Sequence, residues 1–425
     1  MNKTDRRYQM YLDILQEELL PALGCTEPIA VAYAAANARS VLPGAPERLE
    51  VAVSNNIVKN VKSVIVPNTG GLKGIQAAAA IGAVAGNEKL ALEVISSVTE
   101  RDRESLRKFL AEKEILVKPA ESTDVFDIRV DAFDGEGNHG VCRIQKTHTN
   151  VTLLAKNDVI LLRRDDAQSD RQLANREMLS VEGILDFAQT CELEDIKPVL
   201  SRQIRCNSAI SNEGLKTPYG ANIGKLFTNR QDLRSRAIGR AAAGSDARMS
   251  GCDLPVIINS GSGNQGMTAS LPVLTYAEEL QVGEEKTYRA LALSNLLTIH
   301  LRSGIGTLSA YCGAVSAGSA AGAAVCWLQG GDYDAIAHTL VNSLAIVSGI
   351  ICDGAKPSCA EKIACAVDAG LFGWEMYQNG QQFFGGDGIV EKGVENTIRN
   401  VSRLGRDGMR QTLCLIHISE PTRLR

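Results

Sequence analysis

The segment from Gly304 to Leu328 carries no charged residue and consists mainly of glycine, alanine and serine. It is long enough to cross a bilayer, but it has few of the large aliphatic side chains that favour insertion into lipid. Small residues instead allow two helix backbones to approach closely. We therefore predict a helix that is tightly packed inside the protein, and no membrane span.

Apolar runs of helical length lie on both sides of this segment, whereas residues 115–162 contain short alternating runs separated by turns. The first pattern predicts helices and the second predicts strands, preceded by a charged helix near residues 98–114. We expect an α+β fold, with a mostly helical core and a smaller α+β module in the N-terminal half. The predicted helices of the core are 178–192, 194–211, 219–243, 266–281, 285–303, 309–329, 333–347, 358–369 and 392–405.

Four parts of the chain follow from these patterns. Residues 1–87 combine helices with an alternating stretch, 48–66, that predicts two strands broken near Ser54. The α+β module occupies residues 88–175 and the helical domain residues 176–412. Residues 413–425, LCLIHISEPTRLR, do not continue the helical pattern, and we interpret them as a non-native tail that includes Cys414 and His417.

The net charge of -4 and the lack of a basic stripe argue against a nucleic-acid partner. The charged amphipathic start has no apolar signal region, so we expect a cytoplasmic protein. In that compartment the eleven cysteines are buried small side chains, metal ligands or reactive thiols, not a disulfide framework. The abundant glycine and alanine on helices make a homodimer a further expectation.

Three cysteines are candidate metal ligands. Cys352 and Cys359 flank a loop with glycine and proline that can turn both sulfurs toward one point, and Cys312 precedes a glycine- and alanine-rich run. Three thiolates on a small-residue backbone suit an iron–sulfur cluster, whereas a structural zinc usually takes CxxC pairs, which are absent. From spacing alone, cysteines buried in a helical core are the stronger interpretation, and we interpret Cys326 and Cys365 in that way.

Cys25 lies in the run Leu-Gly-Cys-Thr-Glu-Pro, where Gly24 ends one helix and Thr26 is placed to cap the next. The N-terminus of a helix lowers the pKa of a thiol, so Cys25 is a candidate reactive cysteine. The alternative is a buried cysteine in a tight turn.

Two glycine-rich turns, 67–74 and 259–266, each lead into a predicted helix and suit an anion such as a carboxylate. Lys73 would add a positive charge to the first. A plain connector is the alternative for both turns. We interpret His139 and His148 as exposed polar residues and His300 as a core histidine.

Six motifs stand in order over nearly the whole chain, namely LGCTEP, SNNIVKN, PNTGGLKG, SGSGNQG, SGIGTLSAYCGA and CDGAKPSCA. Together they resemble the motif series of the iron–sulfur L-cysteine desulfidase family, which is related to the L-serine dehydratase α chain. The resemblance implies a [4Fe–4S] cluster held by Cys312, Cys352 and Cys359, no pyridoxal phosphate, and a reactive Cys25.

The resemblance also implies a chemistry. Three protein thiolates leave one iron open to act as a Lewis acid toward the substrate sulfur. Cys25 is then the base that removes the α-proton, or a cluster ligand of the resting state. The products from L-cysteine are hydrogen sulfide, pyruvate and ammonia. L-Serine or L-threonine dehydration, a non-catalytic iron–sulfur sensor or sulfur carrier, and incidental cysteines in a helical protein are the alternatives.

A small amino-acid substrate needs partners for its carboxylate and ammonium groups. Glu27 either pairs with the ammonium or caps its helix. The predicted substrate-binding residues are Glu27, Asn55, Asn56, Thr69, Gly70, Lys73, Ser260, Asn264 and Gln265.

Overall fold

The computed structural model describes residues 1–122, 124–164, 174–306, 308–410 and 412. The predicted non-native tail, residues 413–425, lies outside this described part, as do Cys414 and His417 within it.

The described residues form fifteen α-helices and eight strands, which confirms the predicted α+β class. The helices are α1 Arg6–Glu18, α2 Thr26–Ser40, α3 Asn55–Val61, α4 Gly74–Ala85, α5 Glu100–Glu112, α6 Val181–Thr190, α7 Leu193–Lys216, α8 Ile223–Thr228, α9 Leu233–Met249, α10 Gly263–Glu279, α11 Glu284–Ser303, α12 Gly313–Leu328, α13 Tyr333–Val347, α14 Cys359–Gln378 and α15 Val394–Arg403. The strands are β1 Pro21–Leu23, β2 Pro46–Val53, β3 Glu114–Pro119, β4 Asp127–Asp134, β5 His139–Gln145, β6 Val151–Lys156, β7 Val159–Arg163 and β8 Pro255–Ile257.

The uncharged segment forms α12, which lies at the centre of the helical core against α10, α11, α13 and α14. Its glycines permit this packing, because a Cβ on Gly318 would sit 2.4 Å from the Ala366 backbone, and one on Gly322 would sit 2.3 Å from Gly370. The predicted tight helix packing is confirmed. Across the described ranges, no helix is both long and apolar enough to span a membrane.

A six-stranded mixed sheet has the order β3-β2-β4-β5-β6-β7, with β2 parallel to β3 and the other pairs antiparallel. Strand β2 comes from the first 87 residues and the others from residues 88–175, so both parts contribute to one sheet. The domain boundaries remain predictions. Helix α2 packs on β4 and β5 and carries Cys25 at its N-terminus.

A second, two-stranded sheet pairs β1 with β8 in antiparallel register, with Leu23 opposite Pro255. The chain leaving β1 reaches Cys25, and the chain leaving β8 reaches the 259–266 turn. Because the pair is antiparallel, the two chains leave it at opposite ends, and the 259–266 turn meets the segment of Cys25 through the hydrogen bond from the Thr26 hydroxyl to the carbonyl oxygen of Gly261.

The strand predicted beyond Ser54 is wrong, because residues 55–61 form helix α3. Ile57, Val61 and Val64 recur at intervals of four and three, which also fits one face of a helix. Ser54 has extended backbone angles and marks the change from β2 to α3.

The single helix predicted over 219–243 is also wrong, because α8 and α9 are separate helices. Gln231 adopts a φ of 65°, which a continuous helix does not allow. Asp232 then caps α9 by accepting from the backbone N–H of Ser235 at 2.8 Å.

Candidate active site

Cys312 and Cys352 lie on one face of a short antiparallel pairing. Tyr311 and Ile351 form an isolated bridge, the N–H of Cys312 donates to Ile350 at 3.0 Å, and the N–H of Cys352 donates to Ala310 at 2.6 Å. In such a pairing, the residues on either side of the bridge point to the same face. The pairing thus brings two of the three candidate ligands together across forty positions of sequence.

Cys359 begins α14 and turns back toward the same loop, with its Sγ 3.6 Å from the carbonyl oxygen of Gly354. The pKa of Cys312 is raised to about 12, mainly by burial, with the nearby sulfurs of Cys352 and Cys359 contributing. Burial also raises the pKa of Cys359, with Cys352 adding to the effect. Cys352 therefore lies close enough to Cys312 and Cys359 to oppose the ionisation of both.

Two buried cations lie beside these thiols. Arg302 on α11 donates to Ser309 Oγ at 3.1 Å and to the carbonyl oxygen of Tyr311 at 3.4 Å, and its Nε has no partner within the described residues. Burial lowers the pKa of Arg302, whereas Cys352 and Cys312 raise it. Lys59 on α3 is 2% exposed and donates to the carbonyl oxygen of Cys352 at 3.2 Å.

These residues fit a bulky anionic cofactor. Among the described residues, no three His, Cys, Asp or Glu side chains are grouped tightly enough to hold a single metal ion. An iron–sulfur cluster takes thiolates around a larger core, and buried cations offset its negative charge. Cys312, Cys352 and Cys359 are thus a suitable ligand set for a [4Fe–4S] cluster.

All ten described cysteines are free thiols. Cys326 is buried, as predicted. The prediction of a buried Cys365 is wrong, because it is exposed on α14, with its Sγ 3.9 Å from Glu361.

Cys25 reaches the same place from the N-terminal part of the chain. It is the N-cap residue of α2, which confirms its predicted position, although the cap is Cys25 itself and not Thr26. With Val64 and Met249 it forms a small buried group, against which Ala355 and Cys359 pack. The fold therefore brings the reactive-cysteine candidate to the loop between two candidate ligands.

The expected lowering of the Cys25 pKa by the helix N-terminus is wrong. Burial raises the pKa of Cys25 well above its usual value and Glu27 raises it further, while Arg248 opposes them. The thiol donates to Glu27 Oε2 at 3.0 Å. Burial alone would raise the pKa of Glu27, but His148 and Cys25 outweigh it and lower that pKa to about 2.

Glu27 is held by groups from three separate segments. Asn60 on α3 donates to its Oε1 at 3.0 Å, and Nε2 of His148 lies 3.9 Å from the same oxygen. The neighbouring Thr26 hydroxyl donates to the carbonyl oxygen of Gly261 at 3.0 Å. The carboxylate thus joins α2, α3 and the tip of the β5–β6 hairpin.

The interpretation of both module histidines as exposed is wrong. His148 is half-buried against Phe126, with ring centroids 4.9 Å apart, and a Cβ on Gly261 would lie 3.2 Å from it. His139 stacks on Phe133 and has its Nε2 2.8 Å from Asp131. Strand alternation gave no signal for this, because it does not reveal what covers a hairpin.

The 259–266 turn lies inside the site. Gln265 is 5% exposed and packs on Gly313, the neighbour of Cys312, so that a Cβ there would meet its amide carbon at 2.4 Å. Helix α10 begins at Gly263, which places Asn264 and Gln265 in its first turn and not in the loop. Ser260 donates to Asn259 within the turn, at 2.9 Å.

Arg248 on α9 connects this turn to the segment of Cys25. Its Nε donates to the carbonyl oxygen of Gly24 at 2.9 Å, and its NH1 donates to Asn264 Oδ1 at 3.1 Å. Its side chain is buried, since the residue is 2% exposed.

The 67–74 turn is placed differently. The Thr69 hydroxyl donates to Val66 at 2.7 Å and accepts from the N–H of Leu72 at 3.1 Å, while Gly70 and Lys73 are exposed. No hydrogen bond or ion pair of the described residues joins Thr69, Gly70 or Lys73 to Cys25, Glu27 or the three candidate ligands. Their predicted role in binding substrate stays a prediction.

Helix α3 contributes residues that the sequence analysis overlooked. Asn55 is exposed, and Asn56 is buried with an unpartnered Oδ1, whereas Lys59 and Asn60 make the contacts with Cys352 and Glu27. The SNNIVKN motif contained the available signal, since it holds a lysine and an asparagine one turn after the first pair. Arg248, Arg302 and His148 carried no comparable motif.

Comparison with known proteins gives this geometry a context. Residues 89–416 match the family described as serine dehydratase alpha chain. The chain belongs to that family. A UPF0597 protein of Desulfitobacterium hafniense is 55% identical over 415 residues, which cover 97% of this chain and 96% of the relative. UPF0597 proteins of Treponema denticola and Fusobacterium nucleatum are 46% identical over 421 residues and 44% identical over 417 residues, covering 97% and 96% of this chain and 97% of each relative.

The serine dehydratase alpha chain match contains all three candidate ligands and the 259–266 turn, and it begins after Cys25 and Glu27. Those two residues lie in the N-terminal part of the chain. The matches to the UPF0597 relatives cover nearly the full length of this chain and of each relative. The site thus combines the family region with the segment that precedes it.

Proposed function

We propose that this protein is an L-cysteine desulfidase that converts L-cysteine to pyruvate, ammonia and hydrogen sulfide by β-elimination. Membership of the serine dehydratase alpha chain family supports a lyase-type activity. The observation that carries the finer proposal is the contact of Cys359 with the group formed by Cys25, Val64 and Met249. It sets a candidate base beside a candidate ligand in an apolar, sulfur-lined space.

Cys312, Cys352 and Cys359 would hold a [4Fe–4S] cluster, and the reaction uses no pyridoxal phosphate. When bound, the cluster supplies an open iron that acts as a Lewis acid toward the leaving sulfur. Arg302 and Lys59 place positive charge beside the three thiolates. Lys362 also lies nearby, where it donates to the carbonyl oxygen of Ile351 at 2.7 Å and pairs with Asp353, which offsets its charge.

Cys25 is the proposed base. Without substrate it is a thiol that donates to Glu27 Oε2. The base is the thiolate form of Cys25, which the positive charge of Arg248 favours against the opposing effects of burial and Glu27. The thiolate then removes the α-proton of the substrate, while Asn60 holds Glu27 in place. The alternative role of Cys25, as a cluster ligand of the resting state, uses the same proximity to Cys359.

The surroundings favour a thiol over a hydroxyl as the leaving group. Val64, Met249 and Ala355 offer no hydrogen-bond partner to the side chain of a substrate placed near Cys25 and Cys359. Desolvating a hydroxyl without a partner costs more than desolvating a thiol. L-Serine or L-threonine dehydration is the second candidate, favoured by the family's own description.

Steady-state kinetics on the anaerobically reconstituted protein separates these two candidates. We expect kcat/KM for L-cysteine to exceed that for L-serine and L-threonine, measured as pyruvate or 2-oxobutyrate. A higher value for L-serine would replace the desulfidase assignment with a dehydratase.

The Cys25→Ala variant tests the proposed base. We expect it to retain the iron and sulfide of the wild-type protein and to lose turnover by at least about 100-fold, the lower end for a general base. Full activity would remove Cys25 from the mechanism. A wild-type protein with iron and sulfide but no pyruvate from any amino acid would support a sensor or sulfur carrier, and one without iron would support incidental cysteines.

We further propose a cytoplasmic location, no nucleic-acid partner and a homodimeric assembly. The net charge of -4 without a basic stripe supports the second point. Size-exclusion chromatography with light scattering tests the third.

A further inference from the structure

Arg248 is a buried cation without a counter-charge. It is 2% exposed, and its two described hydrogen bonds go to uncharged oxygens, those of Gly24 and Asn264. No carboxylate of the described residues lies within ion-pairing distance of it. Since an unpaired buried charge is costly, an anion bound at this position would stabilise the arrangement.

The N-terminus of α10 lies at the same point. Its N-cap residue, Ser262, makes no side-chain cap, and the N–H groups of residues 263–265 have no intrahelical partner. Arg248 lies directly over Gly263, because a Cβ there would be 2.5 Å from its Nε. A guanidinium and the positive end of a helix dipole thus share one location, which favours an anion.

Gln265 supplies a second, independent indication of a ligand. It lies in the first turn of α10, is 5% exposed, and its Oε1 has no partner within the described residues. Buried acceptors are normally satisfied, so this oxygen indicates a missing donor. Its contact with Gly313 places that acceptor next to Cys312.

We propose that Arg248 and the N-terminus of α10 bind the α-carboxylate of the amino-acid substrate, and that Gln265 accepts a hydrogen bond from its α-ammonium group. The inference rests on the proposed function for the identity of that substrate. It orients the molecule with its carboxylate beside Gly24 and its side chain toward the three thiols. Cys25, which follows Gly24, then lies next to the α-carbon.

The other cations of the site have different positions. Arg302 and Lys59 donate to backbone carbonyl oxygens next to or at the candidate ligands Cys312 and Cys352. Their positive charge therefore lies beside the thiols. Lys73, which the sequence suggested for the carboxylate, is exposed at the start of α4. Arg248 is therefore the cation that an α-carboxylate next to Cys25 would meet.

A substrate–variant comparison tests this contact in the reconstituted holoenzyme. L-Cysteine methyl ester is a substrate that lacks the carboxylate charge. We expect the wild-type kcat/KM for the ester to be about 10- to 100-fold below that for L-cysteine, the range for a lost hydrogen bond to a charged group. This ratio of the two kcat/KM values is the ester penalty. Arg248→Gln should lower kcat/KM for L-cysteine by a similar factor and shrink the ester penalty to less than about threefold. An ester penalty of equal size in both proteins would overturn the inference.

The matched control is Arg202→Gln, on α7, whose guanidinium donates to the carbonyl oxygen of Leu19 at 3.1 Å. It removes a partly buried arginine outside the site, and we expect the wild-type ester penalty to persist. If the ester penalty also disappears in Arg202→Gln, the ratio responds to any loss of a partly buried arginine. That result would count against the proposed contact of Arg248 with the carboxylate.

A binding measurement keeps the inference separate from the proposed function. L-2-Aminobutyrate has both α-groups and no leaving group, so calorimetry reports its affinity even if the wild-type holoenzyme eliminates neither L-cysteine nor L-serine. We expect Arg248→Gln to raise its Kd by at least about 10-fold. If that variant does not fold, Arg248→Lys, which keeps the charge but not the planar fork, should still raise the Kd. An unchanged Kd in the folded variant would overturn the inference.

Discussion

The two glycine-rich turns, 67–74 and 259–266, have the same sequence character and different surroundings. Each leads into the N-terminus of a helix, α4 or α10. The first satisfies its own polar groups, with Thr69 bonded to Val66 and Leu72, and exposes Lys73. The second contacts Thr26 and Gly313, the neighbours of Cys25 and Cys312, and its Gln265 acceptor has no partner among the described residues.

This difference shows which property marks a binding turn. Glycine content and an open helix N-terminus are common to both turns, so they do not discriminate. What separates them is a buried polar group that the protein itself leaves unsatisfied, together with an unpaired cation, Arg248. Substitutions made in parallel in the two turns test this distinction.

The largest expected effect comes from paired glycines. A Cβ on Gly266 would sit 2.0 Å from the carbonyl oxygen of Ile257, whereas one on Gly71 would meet nothing within 4 Å. We expect Gly266→Ala to lower the free energy of unfolding by about 3 kcal/mol or more, because backbone must move. Gly71→Ala introduces only the backbone strain of a φ of 95°, which we expect to lower the free energy of unfolding by about 1 kcal/mol. Denaturant unfolding measures both, and equal losses would contradict the different surroundings of the turns.

The next effect concerns activity. Gln265→Leu keeps the volume of the side chain and removes its acceptor, and we expect kcat/KM for L-cysteine to fall by about 10- to 100-fold. The parallel change in the exposed turn, Lys73→Ala, should leave kcat/KM within about twofold. A large fall in kcat/KM for Lys73→Ala would show that the 67–74 turn belongs to the site. An unchanged kcat/KM for Gln265→Leu would show that the 259–266 turn does not.

The sequence predicted the helical core and the sheet well, because local pattern determines both. The small residues of α12 allow close helix packing, and the alternating runs of 115–162 match strands β3 to β7. The prediction failed at residues 57–61, where part of a valine- and isoleucine-rich run forms a helix and not a strand. Beta-branched residues favour strands only when no stronger constraint acts, and here α3 is held against Glu27 and Cys352.

The candidate site was predictable only where motifs carry it. Cys25, Gln265 and the three candidate ligands stand in recognisable motifs, and the structure gathers them. Arg248 reaches the site from the end of helix α9 and His148 from the β5–β6 hairpin, and neither tertiary contact is readable from local pattern. The Cys25 pKa was mispredicted for the same reason, because burial and Glu27 depend on tertiary contacts.

The smallest expected effect comes from the same substitution, threonine to valine, at one position in each region. Thr69→Val removes a hydroxyl that serves only its own turn, so we expect a loss of about 1–2 kcal/mol in the free energy of unfolding with kcat/KM unchanged. Thr26→Val removes a hydroxyl that joins Gly261 and Glu27, so a similar loss of stability should come with a lower kcat/KM.

Measuring unfolding and kinetics on both variants separates a structural threonine from one that positions the site. If Thr69→Val lowers kcat/KM as much as Thr26→Val does, the 67–74 turn acts on the reaction despite its satisfied bonds. Internal hydrogen-bond satisfaction would then not distinguish the two turns. If only Thr26→Val lowers it, the contact of the 259–266 turn with Glu27 is part of what orders the base.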